Sequence, residues 1–246
     1  VIGNGQKGII PGAGFHTETA EIDPKSAKLL WTDVENFVSD VRLEADGRVH
    51  YQVNSLSGNA VIAVYSEADQ QGDILWSWHI WGTGGEMPGD EVITNRVDGE
   101  FVMMDRTLGA HSKTSTSATL YQWGRKDPFP NSETYYVDGE AIDISDDFNS
   151  IYETSTGTIL ESIQHPASYI RYKTTSYQNN WLAEDNGALW GDSYEYHPTS
   201  FLDPNAVSGW AYGKTIYDPS PVGYRVSGKF AWTGFVNNSS SFMRAE

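Results

Sequence analysis

The 246-residue chain contains no cysteine, which excludes disulfide bonds, zinc–thiolate sites and thiol nucleophiles. It also has no apolar run near the roughly 20 residues that a membrane-spanning helix requires, so direct insertion into a membrane is not expected. Basic residues are scarce: 16 Lys and Arg stand against 33 Asp and Glu, for a net charge of −17. Such a charge repels phosphate backbones, so nucleic acid is not an expected partner either.

The usual catalytic signatures are also missing. The six histidines include no HExxH motif and no pair at metal-binding helical spacing. There is no G-x-S-x-G nucleophile elbow, and no glycine-rich loop of the nucleotide-binding kinds. We therefore expect a protein that is not an enzyme, and the sequence indicates no cofactor apart from the calcium alternative considered below.

Hydrophobic periodicity predicts a mostly β protein of the α+β class. Val41–Tyr51 reads as a hairpin with a two-residue turn at Asp46–Gly47, because apolar residues alternate on both sides of that pair. Asn59–Tyr65 is a continuous apolar run, typical of a strand covered on both faces, and Ile74–Trp81 returns beside it.

Shorter elements are predicted elsewhere. Strands are expected at Ala27–Trp31, Glu100–Asp105 and Thr215–Tyr217. Short helices are expected at Leu120–Gly124 and Thr158–Gln164, each followed closely by proline.

A glycine-rich, acidic break at Gly82–Glu91 predicts a domain boundary. Residues 1–81 would form a β-sandwich-like domain, and residues 82–246 an α+β domain with short helices and long loops.

The segment ILWSWHIWG, Ile74–Gly82, concentrates three tryptophans in one strand. Trp76 and Trp78 share a large apolar face with two isoleucines, which predicts core packing. His79 lies on the opposite face and is expected to be a hydrogen-bonded structural histidine. Trp81, at the strand end, is the better candidate for a ligand-contacting ring.

Five segments occur in an order that resembles a known family: GNAVIAVY with ILWSWHIW, FVMMDRTLGA, LYQWGRKDPFP, IQHPASYI, and KTIYDPSPVGYRV with WTGF. Together they resemble the C-terminal portion of fimbrillin-family surface proteins of Bacteroides-type bacteria. The second half is also similar to the FISUMP module and, through it, to C-type-lectin-like folds. The resemblance covers roughly residues 26–235.

The resemblance implies an exported protein on the extracellular side of the outer membrane, acting in adhesion or pilus assembly. Its implied partners are other surface or pilus subunits, which an open sheet edge would bind by strand addition. Ser220 stands where relatives commonly have cysteine. Relatives also run on past WTGF, so the lectin-like module is either truncated, cleaved during maturation, or completed by another chain.

Asn179–Trp210 is rich in aromatics interleaved with amides and carboxylates, a mixture suited to stacking on sugars and reading their hydroxyls. With Trp81, the candidate glycan-contacting residues are Trp181, Trp190, Tyr194, Tyr196 and Trp210. The alternative is a long loop pinned to its domain by its own aromatics.

Carboxylates are the remaining candidates for metal ligands or catalytic groups. Asp185 and Asp192 flank Trp190 and are the candidate ligands for calcium, which prefers oxygen donors. Asp143, Asp146 and Asp147 cluster as well, and paired carboxylates serve glycoside hydrolysis. The alternatives to a pilus or adhesion protein are therefore a glycan-binding module outside a pilus and a calcium-dependent glycan-processing enzyme.

Overall fold

A computed structural model describes residues 22–96, 98–115, 118–144, 151–173, 181–183, 189–190 and 216–227. Within these residues the protein is mostly β, with one short α-helix whose bounds are clear and several separate sheets. The predicted α+β class is confirmed. No helix in the described part of the chain is long and apolar enough to cross a membrane.

The strands are short, and in chain order they are β1 (Ser26–Thr32), β2 (Val38–Leu43), β3 (Val49–Val53), β4 (Ser57–Tyr65), β5 (Ile74–Thr83), β6 (Asp90–Thr94), β7 (Glu100–Met104), β8 (Leu120–Tyr121), β9 (Pro128–Phe129), β10 (Thr134–Val137), β11 (Glu140–Asp143), β12 (Ile151–Thr154) and β13 (Tyr169–Tyr172). Helix α1 spans Ile159–Gln164, and a 3₁₀ turn spans Ala68–Gln70.

The central sheet has five strands in the order β11-β10-β1-β4-β5, all antiparallel. Strands from both sides of the predicted boundary at Gly82 join it, since β10 pairs with β1 and β11 pairs with β10. β5 itself runs through residue 82 to Thr83. The division into two domains stays a prediction, but the two parts of the sequence share one sheet.

The two faces of the central sheet have different character. On one face Ala60, Ile62 and Ile80 pack with Phe37, and the β2–β3 hairpin and Trp78 cover this cluster. On the other face Trp31, Val61 and Tyr135 form a second cluster. Because residues two apart in a strand share a face, the continuous apolar run of β4 supplies both clusters, as predicted for a strand covered on both sides.

The β2–β3 hairpin is confirmed, but its turn is longer than predicted. Glu44 N donates to Arg48 O, and Gly47 N donates to Glu44 O, so the loop has three residues. Only Gly47 takes a positive φ, 76°, while the Asp46 carboxylate accepts from Arg48 N. A type I turn followed by a left-handed glycine is the common way to close such a loop.

Two predicted elements are wrong. Leu120–Gly124 is not a helix: β8 occupies its start, and Gly124 takes φ 80° in the turn that leads to β9. Ile216 and Tyr217 form a turn rather than a strand; residue 215 lies outside the described residues. The helix predicted at Thr158–Gln164 is confirmed, because Thr158 and Glu161 form a reciprocal capping box at its first turn.

We expect Gly82→Ala to lower the free energy of unfolding by about 2 kcal/mol, within the usual cost of overpacking a core. A Cβ at residue 82 would lie 2.8 Å from Leu56 O and 2.8 Å from Cε2 of Phe37. Urea denaturation of Gly82→Ala, Phe37→Leu and the double variant would measure the effect. The double variant should cost less than the sum of the single ones, because a smaller side chain at 37 relieves part of the clash. Strictly additive costs would contradict this packing.

Candidate functional site

Strand β5 forms one edge of the central sheet and lines a narrow cleft of about 60 Å³. We call this the β5 cleft; its lining residues are Trp76, Ser77, Trp78, His79, Trp81, Lys126, Pro219, Ser220 and Pro221. It brings three indole rings, the His79 imidazole and the Lys126 ammonium group to a sheet edge. Trp81, predicted to contact a ligand, lines this cleft.

Strand register fixes which backbone groups of β5 point into the cleft. Asn59 O accepts from Asp33 N on the β1 side, so the backbone of Asn59 points away from β5. In an antiparallel pair such residues alternate with residues that bond to the other neighbour. Asn59 and Val61 lie opposite Trp81 and His79, so the N–H and C=O groups of Trp81 and His79 point outward from the sheet.

Side chains cover the outward carbonyls at the two ends of this edge. Lys126 Nζ donates to Ser77 O at 3.1 Å, and Arg106 Nη1 donates to Thr83 O at 3.2 Å. Between them, within the described residues, the backbone groups of His79 and Trp81 have no hydrogen-bond partner. The open part of the edge is therefore centred on these two residues.

The backbone of the opposite wall of the β5 cleft has no N–H group free to donate to those carbonyls. Pro219 and Pro221 have no N–H group. Ser220 N donates instead to Asp218 Oδ1 at 2.8 Å, and Asp218 is fully buried. This wall packs beside β5 without continuing the sheet.

Beneath the edge lies a buried ion pair. Lys126 Nζ lies 2.7 and 2.8 Å from the two carboxylate oxygens of Asp127, and Ser77 Oγ donates to Asp127 at 2.7 Å. Lys126 Nζ also hydrogen-bonds Ser77 Oγ and lies 4.5 Å from the centroid of the Trp76 ring, a cation–π distance. Burial lowers the pKa of Lys126, and the Asp127 carboxylate opposes that shift.

A serine beside a lysine can form a nucleophile–base pair, but this arrangement does not activate Ser77. The Lys126 ammonium is already held by a carboxylate, and Ser77 is 2% exposed. The hydrogen bonds among Ser77, Lys126 and Asp127 instead attach β5 to the turn between β8 and β9. Ser77 and Asp127 are 50 residues apart in the chain, so no local sequence pattern could have shown the contact.

A second polar network surrounds His79. Its Nε2 lies 3.0 Å from Asn59 Oδ1, so this nitrogen donates, and Nδ1 accepts from the Tyr121 hydroxyl at 3.1 Å. Both ring nitrogens of the neutral tautomer are therefore satisfied. Burial lowers the pKa of His79 to about 3. The hydrogen-bonded structural role predicted for this histidine agrees with these contacts.

The tryptophan strand is only partly interior. Trp78 packs against the cluster around Phe37, as predicted. Trp76 is half-buried and faces Tyr217 and Lys126, with a ring-centroid distance of 6.4 Å to Tyr217. Trp81 is half-buried, and its indole donates to Ala110 O at 3.1 Å.

The rings of Asn179–Trp210 that are predicted to contact a glycan and that the structure describes, Trp181 and Trp190, do not line the β5 cleft. Trp181 and Trp190 are 2% and 8% exposed, and their indole N–H groups donate to Trp123 O at 2.6 Å and Arg125 O at 3.0 Å. These contacts are those expected of the alternative, a loop pinned by its own aromatics. Tyr194, Tyr196, Trp210 and the predicted calcium ligands Asp185 and Asp192 lie outside the described residues. Within the described ranges, no three His, Asp or Glu residues are grouped to hold a metal ion.

Removing one partner of the buried ion pair should be costly. Lys126→Met leaves the Asp127 carboxylate buried without its cation, and we expect a loss of about 3–5 kcal/mol in unfolding free energy. Replacing both, Lys126→Met with Asp127→Leu, should cost clearly less than the two single changes summed. Chemical denaturation measures all three variants; a double variant as unstable as that sum would show that the pair is not coupled.

The lowered pKa of His79 makes stability depend on pH in a defined direction. Between pH 6.5 and about 3 the unfolded state binds a proton at residue 79 that the folded state excludes. Unfolding free energy therefore falls as pH drops below 6.5, by up to about 1.4 kcal/mol per pH unit from this group. His79→Gln should flatten the slope between pH 6 and 4 relative to wild type. Parallel slopes for the two proteins would contradict the buried neutral histidine.

Comparison of the chain with family models, with curated proteins and with solved structures finds no match.

Proposed function

We propose that the protein is a non-enzymatic bacterial cell-surface or fimbria-associated protein that acts in adhesion or pilus assembly, and that it binds its partner through the edge of β5. The resemblance of its sequence segments to fimbrillins suggests the extracellular side of the outer membrane. The net charge of −17 and the absence of a catalytic motif fit a binding role better than a phosphate or nucleic-acid chemistry.

The observation that carries this proposal is that the backbone groups of His79 and Trp81 have no hydrogen-bond partner among the described residues. An edge strand with free N–H and C=O groups is a template for an added strand, and β5 is ten residues long. Lys126 and Arg106 cover the carbonyls of Ser77 and Thr83, so the added strand bonds mainly to the two residues between them.

The Pro219–Pro221 wall must give way to the partner, because a cleft of about 60 Å³ is too small for a strand. Replacing the wall with a partner strand would add hydrogen bonds. The backbone of the wall has no free N–H, whereas a strand donates one to each open carbonyl. Trp78 on one face and Trp81 on the other would flank the incoming strand and pack against its alternating side chains.

Glycan binding outside a pilus is the second candidate, and one observation favours it. Trp76, Trp78 and Trp81 all line the β5 cleft, and aromatic faces stack on sugars. A glycan would contact these rings without hydrogen-bonding along the backbone of β5. The two functions therefore differ in whether the backbone amide protons of His79 and Trp81 become protected from exchange with solvent.

Amide hydrogen exchange distinguishes them when a second copy of the chain is the partner. We would follow the ¹⁵N-labelled chain by NMR, dilute and then mixed with excess unlabelled chain at high concentration. The His79 and Trp81 amides should exchange fast when dilute and at least 100-fold more slowly in the assembly. The Trp78 and Ile80 amides, which bond to β4, should be slow in both and serve as the internal control.

A matched pair of variants tests the same edge. Trp81→Pro removes an outward N–H that β4 does not use, whereas Trp81→Phe keeps it. Self-association measured by sedimentation should weaken about tenfold more in Trp81→Pro, the value of one main-chain hydrogen bond. A chain that stays monomeric at millimolar concentration, or an assembly without new protection at residues 79 and 81, would refute strand addition between copies.

A further inference from the structure

The open and the covered backbone groups along the edge of β5 are arranged symmetrically about Ile80. The carbonyls of Ser77 and Thr83, at equal distances along the strand on either side of Ile80, are covered by basic side chains. The residues next to Ile80, His79 and Trp81, have backbone groups without a hydrogen-bond partner among the described residues. An edge with this symmetry matches a second copy of itself that is turned by 180° about an axis through Ile80.

Such a twofold axis gives two antiparallel copies of β5 a defined register. His79 lies opposite the partner's Trp81, and Trp81 lies opposite the partner's His79. In an antiparallel pair, opposite residues whose backbone groups face each other exchange two hydrogen bonds. The register therefore satisfies the open N–H and C=O groups of both residues in each copy, and it brings the covered end of one strand opposite the covered end of the other.

The side chains of β5 also fit this register, because directly opposite residues share a face of the sheet. Trp78 lies opposite the partner's Gly82, so its indole meets a position without a side chain. His79 and Trp81 form cross-strand aromatic pairs; within one copy their rings are already near parallel, with an angle of 9° and a centroid distance of 6.4 Å. Ile80 lies opposite the partner's Ile80, which extends the apolar cluster around Phe37 across the contact.

The strand itself carries no charge, although the protein is strongly acidic. Ile74–Thr83 contains no Asp, Glu, Lys or Arg in a chain whose net charge is −17. Burial lowers the pKa of His79 to about 3, so its ring is neutral at pH 7. Lys126 and Arg106, which cover the ends, are each paired with the aspartate next to them in the chain, at 2.7 and 2.8 Å. Charged side chains commonly keep edge strands apart, and two copies of β5 can approach each other without that repulsion.

We propose that the partner of the β5 edge is a second copy of the chain, joined antiparallel about Ile80 into a twofold dimer. This inference rests on the strand addition proposed above, including displacement of the Pro219–Pro221 wall in both copies. The central sheets become one continuous sheet with five strands from each copy. Because the contact uses the same edge of both copies, it closes at the dimer and leaves no β5 edge for a third chain.

Isotope-filtered NOE spectroscopy on an equal mixture of ¹³C,¹⁵N-labelled and unlabelled full chain tests the register. Trp78 and Gly82 form a non-hydrogen-bonded pair across the dimer, so their Hα protons come within NOE range. Within one strand the same protons are about 13 Å apart, too far for a signal. We expect a Trp78–Gly82 Hα NOE between copies, and a sedimenting mass that levels off at twice the 27.3 kDa of one chain.

A charge pair at residue 81 tests the twofold axis independently. In the proposed register the two copies of residue 81 are diagonal neighbours, roughly 7–8 Å apart. Trp81→Glu and Trp81→Lys should each dimerise weakly because like charges meet, and their equal mixture should associate about tenfold more tightly than either variant alone. Val92 is exposed on β6 and outside the β5 cleft, so mixing Val92→Glu with Val92→Lys should give no such gain. Circular dichroism checks the fold of each variant, and the NOE on the wild-type chain needs no variant.

The outcomes separate this dimer from strand addition in general. Protected His79 and Trp81 amides in an assembly that lacks the Trp78–Gly82 NOE, or that grows beyond the dimer, would overturn the twofold register and leave strand addition standing. So would folded residue-81 variants whose mixture associates no more tightly than either alone. A chain that stays monomeric at millimolar concentration would overturn both proposals.

Discussion

The charged tripeptide Arg125–Lys126–Asp127 holds the central sheet to the part of the chain that follows it. Lys126 and Asp127 grip Ser77 on β5, while Arg125 donates to His165 O and Ser168 O just after helix α1. All three are buried, and two are oppositely charged neighbours. Taking such groups out of water is costly unless each is paired, so the turn that carries them can be stable only when the sheet and the helix are both in place.

The residues around this tripeptide extend the same attachment. Gln122 bonds both backbone groups of Ile170 on β13, and the carbonyls of Trp123 and Arg125 accept from the buried indoles of Trp181 and Trp190. Two aromatics expected to meet a ligand are thereby used to attach a later segment to this turn. Among the candidate rings that lie in the described residues, Trp81 on β5 is the one that lines the β5 cleft.

The edge of β5 is open because β4 hydrogen-bonds the backbone groups on one side of the strand only. Residues bonded to β4 alternate with residues that face outward, and the neighbouring wall contributes two prolines and a serine whose N–H is taken by Asp218. Within the described part of the chain, the outward backbone groups of His79 and Trp81 therefore have no hydrogen-bond partner.

Local patterns predicted those elements whose cause is local. Alternation predicted the β2–β3 hairpin, and a continuous apolar run followed by a returning strand predicted the β4–β5 pair. The predicted helix α1 begins at a capping box formed by Thr158 and Glu161, which are close in sequence. The helix predicted at Leu120–Gly124 rests on the prolines that follow it as a stop signal. It is wrong because Gly124 takes φ 80° and packs against Leu189, 65 positions away. A glycine whose conformation depends on a contact distant in sequence gives no local pattern from which a helix or a strand can be predicted.

By itself the sequence determined the mostly β class, the main strands of the sheet, and the exclusion of thiol, disulfide and nucleotide-loop chemistry, because composition and two-residue periodicity act within a few residues. Only the tertiary structure decided which tryptophans are buried and which backbone groups of β5 remain open. Those outcomes depend on contacts between residues such as Ser77 and Asp127, whose separation in the chain carries no record of their proximity in space.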